Sequence, residues 1–352
     1  MARIAVEPIV PEVASKVLAG KPHLMQNSQA WFDFIAEFSG ERDCSIQFCI
    51  DGNPAGLLRA LQYRDLVQSL PYPASYAGPI FLPEVSREEQ TACMKAAIEH
   101  FAASTNVLSI CSTPIVPSLD AWTGQFEYSA TGRIHVIELR QELLTGTTSK
   151  FRNNLRRNLR KAAEAQVDIS ASTYPDDLGR WHEIYAKRCR ELQAPILPLR
   201  YFELMFRHLS PIGGCRLISA RTGEKYLGGI IVVNNDYCAD YYLSMFDRDC
   251  DETQASTASF HYLLCWAKLA GLRYLNLQAS PNSQPELAQF KAAWGAQELP
   301  QRYLIAVLNS RDQVLSRSVD QIKEEYKFHF YLPFAALTNQ GATAQDREVV
   351  HA

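Results

Sequence analysis

The sequence predicts a mixed α/β fold (α+β mixed sheets) arranged in two successive halves, on three observations. Strand-like apolar runs alternate with segments of helical period through residues 27–139. From residue 149 the theme starts again, and after one helix and one strand it settles into the order helix-helix-strand-strand-strand-helix-strand-helix-strand. The length of 352 residues is enough for two domains that each bury a core.

The elements follow in order. "NSQAWFDFIAEF" (27–38) begins with Asn/Ser and repeats apolar residues at helical spacing. "CSIQFCI-DGNPAG-LLRALQYRD" reads as two strands around an Asp-Gly turn. "PYPASYAGPIF" (71–81) is extended and punctuated by Pro and Gly; 86–103 is helical; "VLSICS" (107–112) and "RIHVIEL" (133–139) are strands. In the second half a basic helix opens at about 150, followed by strand "VDISAS" (167–172) and helices 175–192 and 198–209. Strands "CRLISA", "YLGGIIVVN" and "YCADYYLSMF" come next, then a helix from about 254 to 270 and strand "YLNLQ". A short helix around "PELAQFKAAWG" and strand "YLIAVL" (303–308) close the pattern, before a polar, aperiodic tail.

Composition excludes several classes. With 35 basic and 38 acidic residues the net charge is −3, so any polyanion site must be local. Nine cysteines, an odd number without a Cys-x-x-Cys pair, suit reduced thiols, and no metal site or resident cofactor is expected. No signal-like segment opens the sequence and no apolar run reaches the ~18–20 residues of a membrane span, so a cytoplasmic location is expected.

The local exception is "KFRNNLRRNLRKAAEAQ" (150–166). Lys150, Arg152, Arg156, Arg157, Arg160 and Lys161 meet no acid before Glu164. On a helix, Phe151, Leu155, Leu159 and Ala162 form an apolar stripe that docks on a core. Arg152, Arg156 and Arg160 then stand in one row at i,i+4, where like charges oppose one another. Phosphates of an RNA or a nucleotide would relieve that repulsion; a solvated face is the plainer reading.

Several stretches resemble successive landmarks of the Fem-like acyltransferases, a group with two tandem GNAT-like domains that includes enzymes adding amino acids to peptidoglycan precursors. They are "HLMQNSQAWFDFI", "PYPASYAGPIF", "FRNNLRRNLRKAAEAQVDI", "YLGGIIVV…ADYYLSMFD" and "YLNLQASPNSQPELAQFKAAWGAQ". "FKAAWGA" is the most specific, since such proteins carry Phe-Lys, two small or basic residues, an aromatic and then Gly. The resemblance implies an N-terminal GNAT-like domain over 1–148 and a catalytic one over 149–335, while the polar, aperiodic composition predicts a disordered tail over 336–352.

It also implies acyl transfer to an amine of a small molecule, peptide or amino sugar. Lys291 matches the lysine associated with the developing oxyanion, for which a compact ammonium is well suited. Phe290 and Trp294 share a helical face and read as core that aims the lysine. Period-two alternation puts Tyr242, Ser244 and Phe246 on one side of their strand and Tyr241, Leu243 and Met245 on the other. Either tyrosine is a catalytic candidate, and Ser244 an acceptor contact. Asp240, Asp247 and His261 are weaker acid–base candidates, and a Cys111–His135 nucleophile pair has no motif behind it.

For the donor, acyl-CoA and aminoacyl-tRNA compete as co-substrates. The segment before the long helix, "DRDCDETQASTASFHYLL", lacks the glycines of a CoA loop and sets Asp247, Asp249, Asp251 and Glu252 against one arginine. That departure fits an aminoacyl ester, with Ser256, Thr257, Phe290, Arg156, Arg157 and Arg160 on the donor side. "TGTTSK" (145–150) has the flavour of a phosphate loop without its spacing. Arg188 and Arg190 are approximate equivalents of an acceptor-docking arginine. The alternative class is a non-catalytic GNAT-like binding module with a degenerate donor loop.

Overall fold

The computed structural model describes residues 3–19, 22–69, 78–111, 115, 122, 124–280, 284–327 and 329–337. The elements are β1 (Ile4–Pro8), α1 (Pro11–Leu18), α2 (Gln29–Ser39), β2 (Arg42–Asp43), β3 (Ile46–Ile50), β4 (Asn53–Leu58), β5 (Leu61–Tyr63), β6 (Leu66–Gln68), β7 (Ile80–Phe81), α3 (Arg87–Ala102), β8 (Val107–Cys111) and β9 (Tyr128–Glu138). There follow α4 (Ser149–Glu164), β10 (Asp168–Ser172), α5 (Leu178–Leu192), α6 (Leu199–Leu209), β11 (Cys215–Thr222), β12 (Lys225–Asn234), β13 (Cys238–Phe246), α7 (Ala255–Leu269), β14 (Tyr274–Ala279), α8 (Pro285–Ala293), β15 (Gln297–Val307), α9 (Arg311–Leu315) and α10 (Val319–Glu325). Large mixed sheets with packed helices are the α/β class the sequence predicts.

The chain divides into two compact units. The first holds the described residues up to Ile134 and those from Leu299 onward; the second holds His135–Ser280 and Gln284–Glu298. This division differs from the expected boundary at 148/149 for a physical reason. The C-terminal part of β15 pairs antiparallel with β8, Tyr303 opposite Cys111 through Val307 opposite Val107, so the end of the chain completes the first unit. The start of the second unit is tied in by Lys268, whose Nζ donates to the carbonyls of Leu139 (2.8 Å) and Gln141 (2.6 Å).

In the first unit one sheet has the order β1-β3-β4-β7 and the other runs β9-β15-β8-β6-β5-β2. The β3–β4 hairpin turns at Asp51-Gly52, both at positive φ, as the Asp-Gly pair predicts. Its second strand is shorter than expected. β4 ends at Leu58, the chain bends at Arg59-Ala60, and β5 joins the other sheet. Ser86 caps α3 with a capping box to Glu89, and Ser28 caps α2 by accepting from the Trp31 N–H at 3.2 Å. The core gathers Phe48, Leu57, Met94, Phe101 and Leu108, all at most 1% exposed. Of "PYPASYAGPIF", residues 71–77 lie outside the described residues, as do 112 and residues 338–352 of the expected tail; its first two residues are described, Ala336 closing a 3-10 turn and Leu337 buried.

In the second unit the strand order is β10-β11-β12-β13-β14-β9, antiparallel from β10 to β13 and parallel between β13 and β14. One face packs α4 and α7 through Leu155, Phe260, Leu263 and Leu264 against Ile218, Ile230 and Val232. The other packs α5 and α6, where Trp181 stacks on Tyr185 at 5.5 Å and donates its indole N–H to the Gly229 carbonyl at 3.0 Å. Thr148 caps α4 by accepting from the Phe151 N–H at 3.1 Å. The "TGTTSK" hydroxyls therefore serve this turn: Thr145 and Thr147 donate to the carbonyls of Glu142 (2.5 Å) and Leu144 (2.7 Å).

Candidate functional site

β13 and β14 pair only at Cys238–Tyr274, Ala239–Leu275 and Asp240–Asn276. Beyond that point β13 runs on to Phe246 and β14 to Ala279 without pairing to each other, so the two strands splay. Where they part, a bulge breaks β13: Val232 pairs with Tyr241 and Ile231 with Leu243, leaving Tyr242 as the extra residue.

The bulge corrects the expected alternation. Tyr241 and Phe246 share the α7 face, and Ser244 joins them through a side-chain hydrogen bond to Tyr241. Tyr242 turns to the other face and meets the Tyr201 hydroxyl at 2.5 Å. Burial pushes the Tyr241 phenol up to about 12, eased by Ser244, and raises that of Tyr242 as well. Both phenols therefore stay protonated near neutrality and are not bases.

The vertex of the splay is polar and closed to water. Asp240 (1% exposed) accepts from Asn276 Nδ2 at 2.5 Å and Gln278 Nε2 at 3.3 Å. Asn276 Oδ1 also accepts the Gln278 N–H at 2.9 Å. Those bonds hold Gln278 at φ 67°, a left-handed conformation that costs a non-glycine residue about 1 kcal/mol or more. The carbonyls of Gln278 and Ala279 are both taken by one side chain, Lys291, whose Nζ donates to them at 3.0 and 2.6 Å.

Lys291 is 3% exposed, with its ammonium drawn down to about 7 by burial. This is no surface helix lysine. A charged lysine has three N–H donors. Two are used here, and the third position is a donor when the group is charged and a lone pair when it is neutral.

Local sequence fixes the lysine's place. Pro285 opens α8 at its first turn, and Gly295, at φ 87°, ends it, with Gly295 N–H on Ala292 O (2.9 Å) and Ala296 N–H on Lys291 O (3.3 Å). A Cβ at Gly295 would lie 2.9 Å from the Thr145 carbonyl oxygen. We expect Gly295→Ala to lower stability by about 1–3 kcal/mol, read as a shift of the urea midpoint at unchanged m-value. Trp294 (3% exposed) is core, packed on Phe260 at 4.4 Å and Phe151 at 5.2 Å. Phe290 departs from the expectation of core: it is 41% exposed, although its ring meets Phe260 at 5.9 Å and Trp294, on the same helical face as expected, at 6.4 Å.

The donor-side candidates on α7 sit at its first turn, Ser256 exposed and Thr257 bonded to Gln254 Oε1 at 3.3 Å. This turn does not fit a pyrophosphate. The Gln254 and Ala255 N–H groups already donate to Asp251 O and Thr253 Oγ1, and Asp249, Asp251 and Glu252 stand exposed just before the helix. Lys187 lies 3.7 and 3.8 Å from Asp247 and Asp249 and answers only part of that charge.

On α4 the apolar stripe docks as expected, with Phe151, Leu155 and Leu159 in the core. Arg152 leaves the basic row: its guanidinium bonds Thr147 O (2.6 Å) and Ser149 Oγ (3.3 Å) at the helix start. Arg156, Arg157 and Arg160 are exposed; Arg156 touches Asn153 Oδ1 at 3.3 Å, and none pairs with an acid among the described residues. On α5, Arg188 is engaged by Glu191 at 2.8 Å, and Arg190 is exposed. Tyr241, Phe290 and Trp294 thus meet at Phe260, and Lys291 is held by the end of β14, whereas Tyr242 faces α6 and the arginines lie on separate helices.

The weaker candidates have other duties. His261 has a lowered pKa from burial and lies 3.8 Å from Cys265. Cys111 accepts from Gln301 at 3.1 Å, with its thiol pushed up to about 12, unfit as a nucleophile. His135 bonds Ser280 Oγ at 3.3 Å. Asn276, Gln278 and Tyr201 were not foreseen. Two amides on one face of the apolar run "YLNLQ" were the available signal for the first two.

Residues 149–291, from the first residue of α4 to Lys291, match the family model described as an acetyltransferase (GNAT) domain. No curated protein matches the chain by sequence. Among solved structures the chain is similar to FemX (TM-score 0.65, 13% identity, 85% of this chain and 97% of that one). It is also similar to L-PGS from Bacillus licheniformis (0.56, 11%, 91% and 96%). A tandem GNAT protein from the clavulanic acid biosynthesis pathway is a third (0.52, 14%, 87% and 99%). The family match thus marks a GNAT domain over residues 149–291, and these solved structures share the fold of the chain.

Proposed function

We propose that the chain is an N-acyltransferase that moves an aminoacyl group from an aminoacyl-tRNA to the amine of a small molecule, peptide or amino sugar. The observation that carries this reading is the Lys291 ammonium, buried at the end of β14 with two positions filled by carbonyls and a third left for chemistry. The acceptor amine attacks the ester carbonyl, forming the N–C bond and an oxyanion. The proton leaving the amine passes to neutral Lys291, which as an ammonium then donates to the oxyanion. Collapse breaks the C–O bond of the ester and gives the amide and a free ribose hydroxyl, which takes the proton back from Lys291.

The choice of donor rests on charge. Acids ahead of α7 oppose a pyrophosphate, and unpaired Arg156, Arg157 and Arg160 on α4 favour a polyanion. Exposed Phe290, one residue from Lys291, offers a ring on which a terminal base can stack. Tyr241 and Ser244 line the splay as donors for the substrate carbonyl or amine.

The test is single-turnover transfer from charged tRNA or from acetyl-CoA to a panel of amines. Amide formation from charged tRNA is the expected result. Transfer from acetyl-CoA alone returns the protein to CoA-dependent chemistry. Binding without transfer from either donor makes it a non-catalytic module.

A further inference from the structure

The second unit holds a cavity that the acyl-transfer reading does not use. Its volume is about 320 Å³, within the range of small-molecule sites, and it is lined by the end of β9, the loop after it and the C-terminal end of α8. It is separate from the acyl-transfer position. Lys291 precedes the lining residue Ala292, but its Nζ is spent on the carbonyls of Gln278 and Ala279, and none of these three residues lines the cavity.

The loop wall is held before any ligand arrives. Lys268 Nζ donates to the carbonyls of Leu139 and Gln141 at 2.8 and 2.6 Å, and the Thr145 and Thr147 hydroxyls donate to those of Glu142 and Leu144 at 2.5 and 2.7 Å. Within this frame Leu144 sits at φ 64°, a conformation that a bulky residue seldom adopts.

The lining selects the sign of the charge. Ile137, Leu143 and Leu144 supply apolar surface, and Glu138 and Glu142 supply two carboxylates. Among the described residues neither carboxylate has a hydrogen bond or an ion pair, and no lysine, arginine or histidine lines the cavity. Ala292 and Trp294 add the carbonyl end of α8, the negative pole of its dipole. Two carboxylates beside apolar walls are a poor cage for a hard divalent cation, which takes six or more oxygens, and no metal-holding cluster exists among the described residues. An organic cation with an apolar body satisfies both parts of the lining.

We propose that this cavity binds a small organic ammonium ion, its charge answered by Glu138 and Glu142 and its hydrocarbon body resting on Ile137, Leu143 and Leu144. The site needs no step of acyl transfer.

The test is thermal unfolding of the full chain at pH 7 in butylammonium chloride, in sodium chloride at matched ionic strength and in 1-butanol at matched concentration. Tm rises saturably with butylammonium alone. Glu138→Gln and Glu142→Gln, at half-buried and exposed positions, each raise the half-saturating concentration about tenfold, and the double variant loses the rise. Ala292→Trp keeps both carboxylates but fills the cavity, and it loses the rise as well; should it not fold, the glutamine variants carry the test. A response no larger than in sodium chloride, an equal response to butanol, or a wild-type response in the double variant overturns the proposal. So does a full response in folded Ala292→Trp, which would place the ion on an acidic surface outside the cavity.

Discussion

Replacing Lys291 with Met lowers turnover by about 10²–10⁴-fold and at the same time makes the folded protein more stable in mild acid. Both effects come from one burial. The ammonium is drawn from 10.5 to about 7, so between those values the unfolded chain binds more protons than the folded one. Stability carried by this group therefore rises with pH from about 7 to 10.5; below 7 both states are protonated and the full burial cost remains. That cost is up to ~5 kcal/mol. Met removes it but leaves the carbonyls of Gln278 and Ala279 without a donor, a loss of ~1 kcal/mol each. The variant is thus more stable than wild type at pH 6 and less stable at pH 10, a reversal that urea titrations at the two pH values read directly. A difference independent of pH would remove the buried proton site from the mechanism.

The same group sets the activity profile. If neutral Lys291 accepts the amine proton, kcat/KM climbs about tenfold per pH unit up to roughly pH 7 and then levels. Lys291→Arg separates the two duties, since a guanidinium donates to an oxyanion but never accepts a proton. It should be as inactive as Lys291→Met. Partial activity in the arginine variant, or a rate falling above pH 7, would assign the charged form as the working one.

Most of the architecture was legible because its punctuation is local. Pro285 and Gly295 bracket α8, Thr148 starts α4, and Asp51-Gly52 turns the β3–β4 hairpin; each acts within a few residues. The apolar stripe of α4 was legible for the same reason. What was not legible depends on partners far away in sequence. The bulge at Tyr242 is a mismatch between β13 and β12, and strict alternation in "ADYYLSMF" gives no hint of it. Asp240 looked like a flanking acid until Asn276, 36 residues on, closed the vertex around it. The bend at Arg59 cut a strand that reads as continuous, and β15 returns to β8 across nearly 200 residues. α1, α9 and α10 are 5 to 8 residues long, too short for a helical period to stand out.

The basic face of α4 yields the other large effect. Changing Arg156, Arg157 and Arg160 together to Ala should weaken binding of charged tRNA by 10-fold or more at about 0.1 M salt. It should also reduce the slope of log K against log salt by about 2–3, since each lost phosphate contact removes about 0.7–0.9. Folding is not at stake: the three side chains are exposed, the docked stripe of Phe151, Leu155 and Leu159 is untouched, and like charges at i,i+4 are relieved. Arg152→Ala is the matched control. It removes one charge from the same helix, but a charge already spent on Thr147 and Ser149, so its salt slope should stay near wild type. The comparison separates a docking surface from mere net charge. If all four substitutions act alike, attraction is diffuse and α4 has no privileged contact with the donor. If none acts, the face is solvated and the aminoacyl ester must be recognised near Lys291 alone.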